Sequence, residues 1–430
     1  MTNAKWLSAP ALLFVFVLAL GWSLASADDP PQFPQGARFT TLVKTEFEVE
    51  GLTAGTSGNL YTAGRQVTNT QACPVYQIDP GNPVEPPPTV GLIPDPDGAG
   101  ANRCNPAGIA FNNAGDLFVA DSGAAATVYF FPAGTLSDTA PPMANIFATG
   151  VPGVNGIAFD RDDNLWASDG TTAQGRVWKI ASCGVPPCGA VEVFRVQPMR
   201  NSNALGGDLA GDGVGRQART FPPGTLVNTA GGQDLAANGL AFNHKGELLV
   251  ADTARGAIWK VDVRKAEFNP DGTLKTKTNC DTTFTANTLC LDNIFVAHPI
   301  LEGADGIALD VAGNIWVDAN ERNAVAVVTK DGRVAEVFRN PANAAGLRNS
   351  ADPALGNNHI LEFPASPFLV GKAFCTSNSD GDRRDNSPRS AGEIPVTIGS
   401  DTFRGKISCM TDEGGNILEL NIPGLPLPVH

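Results

Sequence analysis

Five stretches of this chain repeat one short design, and that repetition limits the fold more than any other feature. Val49–Arg65 reads VEGLTAGTSGNLYTAGR, Asn105–Gly123 reads NPAGIAFNNAGDLFVADSG, and Gly153–Gly170 reads GVNGIAFDRDDNLWASDG. Ala237–Thr253 reads ANGLAFNHKGELLVADT and Gly303–Asn320 reads GADGIALDVAGNIWVDAN. Aligned without gaps on Glu50, Ala107, Asn155, Asn238 and Asp305, every copy has Gly next, as Gly51, Gly108, Gly156, Gly239 and Gly306. Eight residues after the start comes a turn glycine in four copies and Asp163 in the other.

Each unit reads as an apolar strand, a polar turn that favours positive φ, and a second strand such as Leu248-Leu249-Val250. Further strands are expected at Arg176–Ile180, Val191–Val196, Ala257–Val263, Ala324–Thr329 and Val334–Arg339. Three or four antiparallel strands per unit describe propeller blades rather than a sandwich. A degenerate sixth copy fits Phe363–Ser377, with Gly371 as its turn residue. The reading is therefore an all-β, six-bladed β-propeller of antiparallel blades with loop insertions. The insertions are 197–235 and 264–297, with a Pro-rich loop at Asp79–Pro96 and a polar excursion at Ser377–Glu393.

Equivalent positions on the innermost strands of a propeller meet around its axis, so residues far apart in sequence converge. The repeat starts are Glu50, Ala107, Asn155, Asn238, Asp305 and, in the sixth copy, Phe363. Two carboxylates and two carboxamides facing one axis make a hard, all-oxygen cage that suits Ca²⁺, with Mg²⁺, Mn²⁺ or another divalent cation as alternatives. Asn or Asp before Gly also starts ordinary turns. A purely structural role, however, should recur in every blade as the following Gly does, and these residues change from blade to blade.

Other polar positions look structural. Asp121, Asp169 and Asp252 each fall fourteen residues after their start, the regularity expected of a turn or cap. Trp166, Trp178, Trp259 and Trp316 lie on strands and read as packing between blades. Asn378-Ser379-Asp380-Gly381-Asp382 lacks the glycine register and final Glu of an EF-hand and reads as a solvated loop. No GxSxG, HExxH or phosphate-binding glycine loop occurs, which leaves serine-triad, zincin and nucleotide chemistry without support.

A charge-free stretch from Trp6 to Ala27 follows Lys5 and closes on Ala25-Ser26-Ala27, the layout of a secretory signal peptide. Residues 1–27 are thus expected to be removed, leaving 28–430 as one propeller domain, secreted or periplasmic and without stable membrane insertion. The eight Cys all lie after residue 27, and their even number in an exported chain favours disulfides. Connectivity does not follow from sequence, and pairing of neighbours is the simplest arrangement. Zinc has little support, because there is no CxxC and the four His are scattered. The net charge of −14 argues against nucleic acid or anionic lipid as a partner.

The four polar starts and their order resemble the senescence-marker-protein, gluconolactonase and luciferin-regenerating-enzyme family of six-bladed propellers. VEGL, VNGIAFD, ANGLAF and ADGIALD carry the resemblance, the last two most specifically. It implies that Glu50, Asn238 and Asp305 bind one divalent cation and that Asn155 lies beside it to orient substrate or water. It alone implies a small-molecule substrate, and further implies hydrolysis of a lactone or related ester, the cation polarising the carbonyl and lowering the pKa of a water while Asp305 accepts the proton. Gly153 stands where family members often carry a substrate-contacting Arg, and Leu52 stands where they usually carry Pro. Two other readings compete: a non-catalytic NHL-repeat-like binding propeller, and a strictosidine-synthase-like or paraoxonase-like enzyme. The latter is expected to place His near its metal, and no repeat start here is His.

Overall fold

A glycine or aspartate in the left-handed region closes each of the five repeated hairpins. Gly58, Gly115, Gly246 and Gly313 have φ between 75° and 85°, and Asp163 has φ 61°. The computed structural model describes residues 38–65, 72–95, 104–123, 126–172, 174–196, 199–200, 207–208, 235–275, 287–339, 361–379, 396–398, 401–403, 405–421 and 424. Residues 1–27, Cys280 and most of 197–235 lie outside them. Within the described residues the chain is a ring of six antiparallel blades, and the helical segments are short 3-10 turns.

Blade 1 runs from Glu48 to Ile93, blade 2 from Pro106 to Ala148, and blade 3 from Val154 to Arg195. Blade 4 runs from Ala237 to Ala297 and blade 5 from Ala304 to Arg339. Two segments read from sequence as loops contain outermost strands: Thr89–Ile93 closes blade 1 and Ile294–Ala297 closes blade 4. Both are short and edge-placed, and prolines or a 3-10 turn beside them mask their alternation. Blade 6 is assembled from both halves of the sequence. Pro364–Val370, Ala373–Asn378 and Gly405–Thr411 are completed by Arg38–Thr45, paired antiparallel to Gly405–Thr411.

The sixth repeat start is Ala365, not Phe363. In blades 2, 3 and 5 the backbone N–H fifteen residues after the start donates to the carbonyl two residues before it: Ser122 to Asn105, Gly170 to Gly153, Asn320 to Gly303. Ser379 makes the same bond to Phe363, which places Phe363 two residues before the start. Its φ of 53° matches the positive φ of Gly153 and Gly303 there. The blade-6 hairpin is shorter, with Val370 paired to Ala373, so an ungapped alignment lands two residues early.

Apolar side chains pack between neighbouring blades, as propellers require. Trp166 and Phe194 of blade 3 meet Val250 and Trp259 of blade 4, while Trp316 and Val327 of blade 5 meet Phe39 and Phe374 of blade 6. Each fully buried aromatic contributes about 1.5–3 kcal/mol relative to exposure. Trp178 is also buried, so the four tryptophans on the blade strands belong to the core. Disulfides join neighbours in sequence, Cys73–Cys104, Cys183–Cys188 and Cys375–Cys409, and Cys290 is also disulfide-bonded. The described residues contain no free cysteine. No helix among them is long and apolar enough to cross a membrane.

Candidate active site

The glycine after each repeat start has a steric purpose. A Cβ on Gly108 would lie 2.3 Å from the carbonyl oxygen of Asn155, one on Gly156 2.4 Å from that of Asn238, and one on Gly239 2.4 Å from that of Asp305. Gly51 and Gly306 stand in the same relation to Ala107 and Ala365. Each inner strand therefore lies against the next at the repeat start, and the start residues form a tight ring. Serines pin it further: Ser168 Oγ donates to the Asn238 carbonyl and Ser377 Oγ to the Glu50 carbonyl.

Glu50, Asn155, Asn238 and Asp305 are all buried, and the ring of repeat starts pairs Asn155 with Glu50 and Asn238 with Asp305. Asn155 Nδ2 donates to Glu50 Oε1 at 2.9 Å, across blades 3 and 1. Asn238 Nδ2 donates to Thr253 Oγ1 at 3.0 Å, and Asn320 Nδ2 donates to Asp305 Oδ2 at 2.8 Å. A cavity of about 550 Å³ runs from the glycine ring toward the opposite mouth, where Asn113, Arg161 and His244 line it. It is walled by inner-strand side chains such as Leu240 and Phe368, and the four polar starts are not among its lining residues.

Arg65 was not singled out in the sequence, and it changes the charge of the cluster. Its guanidinium pairs with Glu50 Oε2, and its Nε donates to the Pro106 carbonyl at 3.3 Å. The expected cage of two unopposed carboxylates thus has a resident counter-charge. Arg65 ends the second strand of blade 1, fifteen residues after Glu50, and residues at that offset brace the starts generally. Thr253 and Asn320 hold Asn238 and Asp305 as described, while Gly170 leaves room for Asn155, since a Cβ there would meet its Nδ2 at 2.7 Å. Gly170→Ala is expected to displace Asn155 from Glu50 and, because the added Cβ would also stand 2.5 Å from Asn155 Cβ, to cost about 1–3 kcal/mol, checked by thermal melting.

Asp318 is a second buried carboxyl absent from the sequence reading. Thr376 Oγ1 donates to its Oδ2 at 2.5 Å, and burial raises its pKa well above the ordinary value. It occupies the place of Ser168 and Ser377 in their blades. The available signal was the one-residue shift of Asp in WVDAN relative to FVADS and LVADT. Burial also raises Asp305 to about 8, and Asp318 adds to the rise. Hydrogen bonds from Asn320 and Asn238 and the charge of Arg65 act the other way.

The sign of the resulting linkage is fixed. In chelator the native Asp305 keeps a proton that the unfolded chain releases near pH 4, so stability falls as pH rises from about 4 to about 8, by about 1.4 kcal/mol per unit at most. Asp318 contributes in the same direction. Asp305→Asn is expected to reduce this slope by about one proton, measured by chemical denaturation in chelator across that range.

The residues offer what a hard cation needs. Asn238 Oδ1 is buried with no hydrogen-bond donor, while the Asn238 side chain also bonds Thr253 and the Asp305 carboxylate. Among the described residues no three His, Cys, Asp or Glu side chains form a metal cluster, so any cation here would rely on carboxamide oxygens as well. The regular aspartates are consumed by the fold. Asp121 accepts from the Asn105 and Gly123 amides, Asp169 from Thr172 and Arg176, and Asp252 from Arg255 and Trp259.

Residues 209–347, which include Asn238 and Asp305, match the family profile described as SMP-30/Gluconolactonase/LRE-like region. That stretch is similar to the profile, and the described chain as a whole is a six-bladed propeller. Among solved structures, a luciferin-regenerating enzyme is 10% identical, covering 92% of this chain and 100% of its own at a TM-score of 0.49. Regucalcin from Agrobacterium tumefaciens, titled a calcium-binding protein, is 13% identical over 93% of this chain and 100% of its own, TM-score 0.48. A PQQ-bound aldose sugar dehydrogenase from Streptomyces coelicolor is 13% identical over 89% and 99%, TM-score 0.48. No curated protein matches the chain.

Proposed function

We propose that this protein is an exported, divalent-cation-dependent hydrolase of a lactone or related strained ester, with Ca²⁺ as the preferred ion. The observation that carries the reading is the donorless buried amide oxygen of Asn238, whose side chain hydrogen-bonds Asp305 in the same ring of repeat starts as Glu50. Such an oxygen costs about 1–3 kcal/mol unless a cation or water meets it. The family match over 209–347 supports the same chemistry. Glu50, Asn238 and Asp305 would hold the ion. When bound, the ion supplies Lewis-acid polarisation of the ester carbonyl and a lowered pKa for water.

The chain's own residues supply the rest. Asn155, fixed by Glu50, orients substrate or water through its amide. Asp305, held by Asn320, accepts the proton as water adds to the carbonyl and returns it to the alkoxide as the ring C–O bond breaks, giving the hydroxy acid, and its carboxyl is positioned before substrate arrives. Chelated protein titrated with calcium, then offered a panel of lactones and esters with acid release followed, tests the reading. Glu50→Gln is expected to lower calcium affinity at least tenfold, since it removes one of two cage charges, whereas Ala107→Ser leaves it unchanged. Equal losses, or no hydrolysis with the ion bound, defeat the proposal.

A further inference from the structure

We propose that Arg65 is the substrate-recognition residue of this site and selects lactones or cyclic esters that carry a carboxylate; the inference rests on the hydrolase reading above. Three observations lead to it. The guanidinium lies on Glu50 and its charge is felt at Asp305, so it stands within the polar cluster. Its side chain is 17% exposed, which leaves it reachable from the solvent side. The repeat does not demand a cation there, because the equivalent residues are Ser122, Gly170, Thr253, Asn320 and Ser379, all uncharged.

Charge then fixes the class of ligand. Without a divalent ion, Arg65 offsets Glu50. A divalent ion held by Glu50 and Asp305 takes up both carboxylate charges, and like-charge repulsion moves the guanidinium off Glu50 while the Nε–H bond to the Pro106 carbonyl keeps it at the site. Two carboxylates, one divalent ion and one guanidinium leave a single positive charge, which is complementary to a monoanion. A guanidinium prefers a carboxylate because its planar fork makes two parallel hydrogen bonds. Arg65 therefore has two states: counter-ion of Glu50 without the metal, and anion receptor with it.

The test uses binding without turnover. The probes are an unhydrolysable lactam bearing a carboxylate and its neutral methyl ester, titrated calorimetrically into the full protein with saturating calcium and with chelator. Wild type with calcium is expected to bind the carboxylate at least about tenfold more tightly than the ester, the scale of one charge-assisted hydrogen-bonded contact. Arg65→Gln should abolish that preference without changing the ester affinity, and Arg65→Lys should keep part of it. Calcium affinity should rise several-fold in Arg65→Gln, because a competing cation is gone. If Arg65 were only a structural partner of Glu50, calcium affinity would fall and both probes would weaken together. That outcome, or a wild type indifferent to probe charge, overturns the inference. A charge preference without hydrolysis of any ester would leave Arg65 its role and remove only the hydrolase reading. If Arg65→Gln fails to fold, the partial preference of Arg65→Lys decides.

Discussion

Asp305→Asn is expected to lower turnover by about 10² or more even when calcium occupancy is fully restored. The substitution keeps an oxygen for the cation and nearly the same volume, so the inner strand and the Asn320 contact can persist. It removes the group proposed to take the proton. Asn155→Ala should act differently, raising KM more than it lowers kcat and weakening the ion less, because Asn155 positions rather than exchanges a proton. The measurement is acid release with calcium titrated for each variant. Full rate in Asp305→Asn at saturating calcium would show that the proton goes elsewhere.

Gly239→Ala is expected to lower stability and calcium affinity together. The new Cβ would stand 2.4 Å from the Asp305 carbonyl oxygen and 2.8 Å from Gly306 Cα, both backbone atoms that cannot rotate away. Overpacking of this kind costs about 1–3 kcal/mol and occasionally more, and here the strain falls on the residue proposed to hold the ion. Melting temperature and calcium affinity should therefore drop together. By contrast Gly58→Ala, at an open turn with φ 84° and nothing within 4 Å of the added Cβ, should lose about 1 kcal/mol of stability and leave calcium affinity intact. Unchanged calcium affinity in a folded Gly239→Ala protein would separate the glycine ring from the site.

The blade count and the four polar starts were legible because they repeat at fixed offsets within eighteen-residue windows. Turn glycines, apolar strands and the blade-specific Glu, Asn, Asn and Asp all fall inside such a window. What escaped depends on pairing between strands. Arg65, Gly170, Thr253 and Asn320 matter because hairpin register folds each back beside a residue fifteen positions earlier, while the fourteenth-position aspartates were the more conspicuous regularity. Phe363 stood in for Ala365 because the sixth hairpin is shortened, and its positive φ records the true register. The outer strands Thr89–Ile93 and Ile294–Ala297 lack a repeated signature, and Arg38–Thr45 has a partner no local pattern could indicate.

That last pairing bears on how the molecule comes into being. Thr40 and Thr411 hydrogen-bond at 2.7 Å across 371 residues of sequence, within the strand pair that completes the sixth blade. A chain emerging N-terminus first must hold Arg38–Thr45 unpartnered until nearly all of it has been made, and loop closure of that length carries a large entropic cost. Until then Phe39 and Val43, both buried in the finished ring, remain available to water and to helpers that bind extended apolar segments. Truncation at either end should therefore open the same blade, so the two termini share one point of failure.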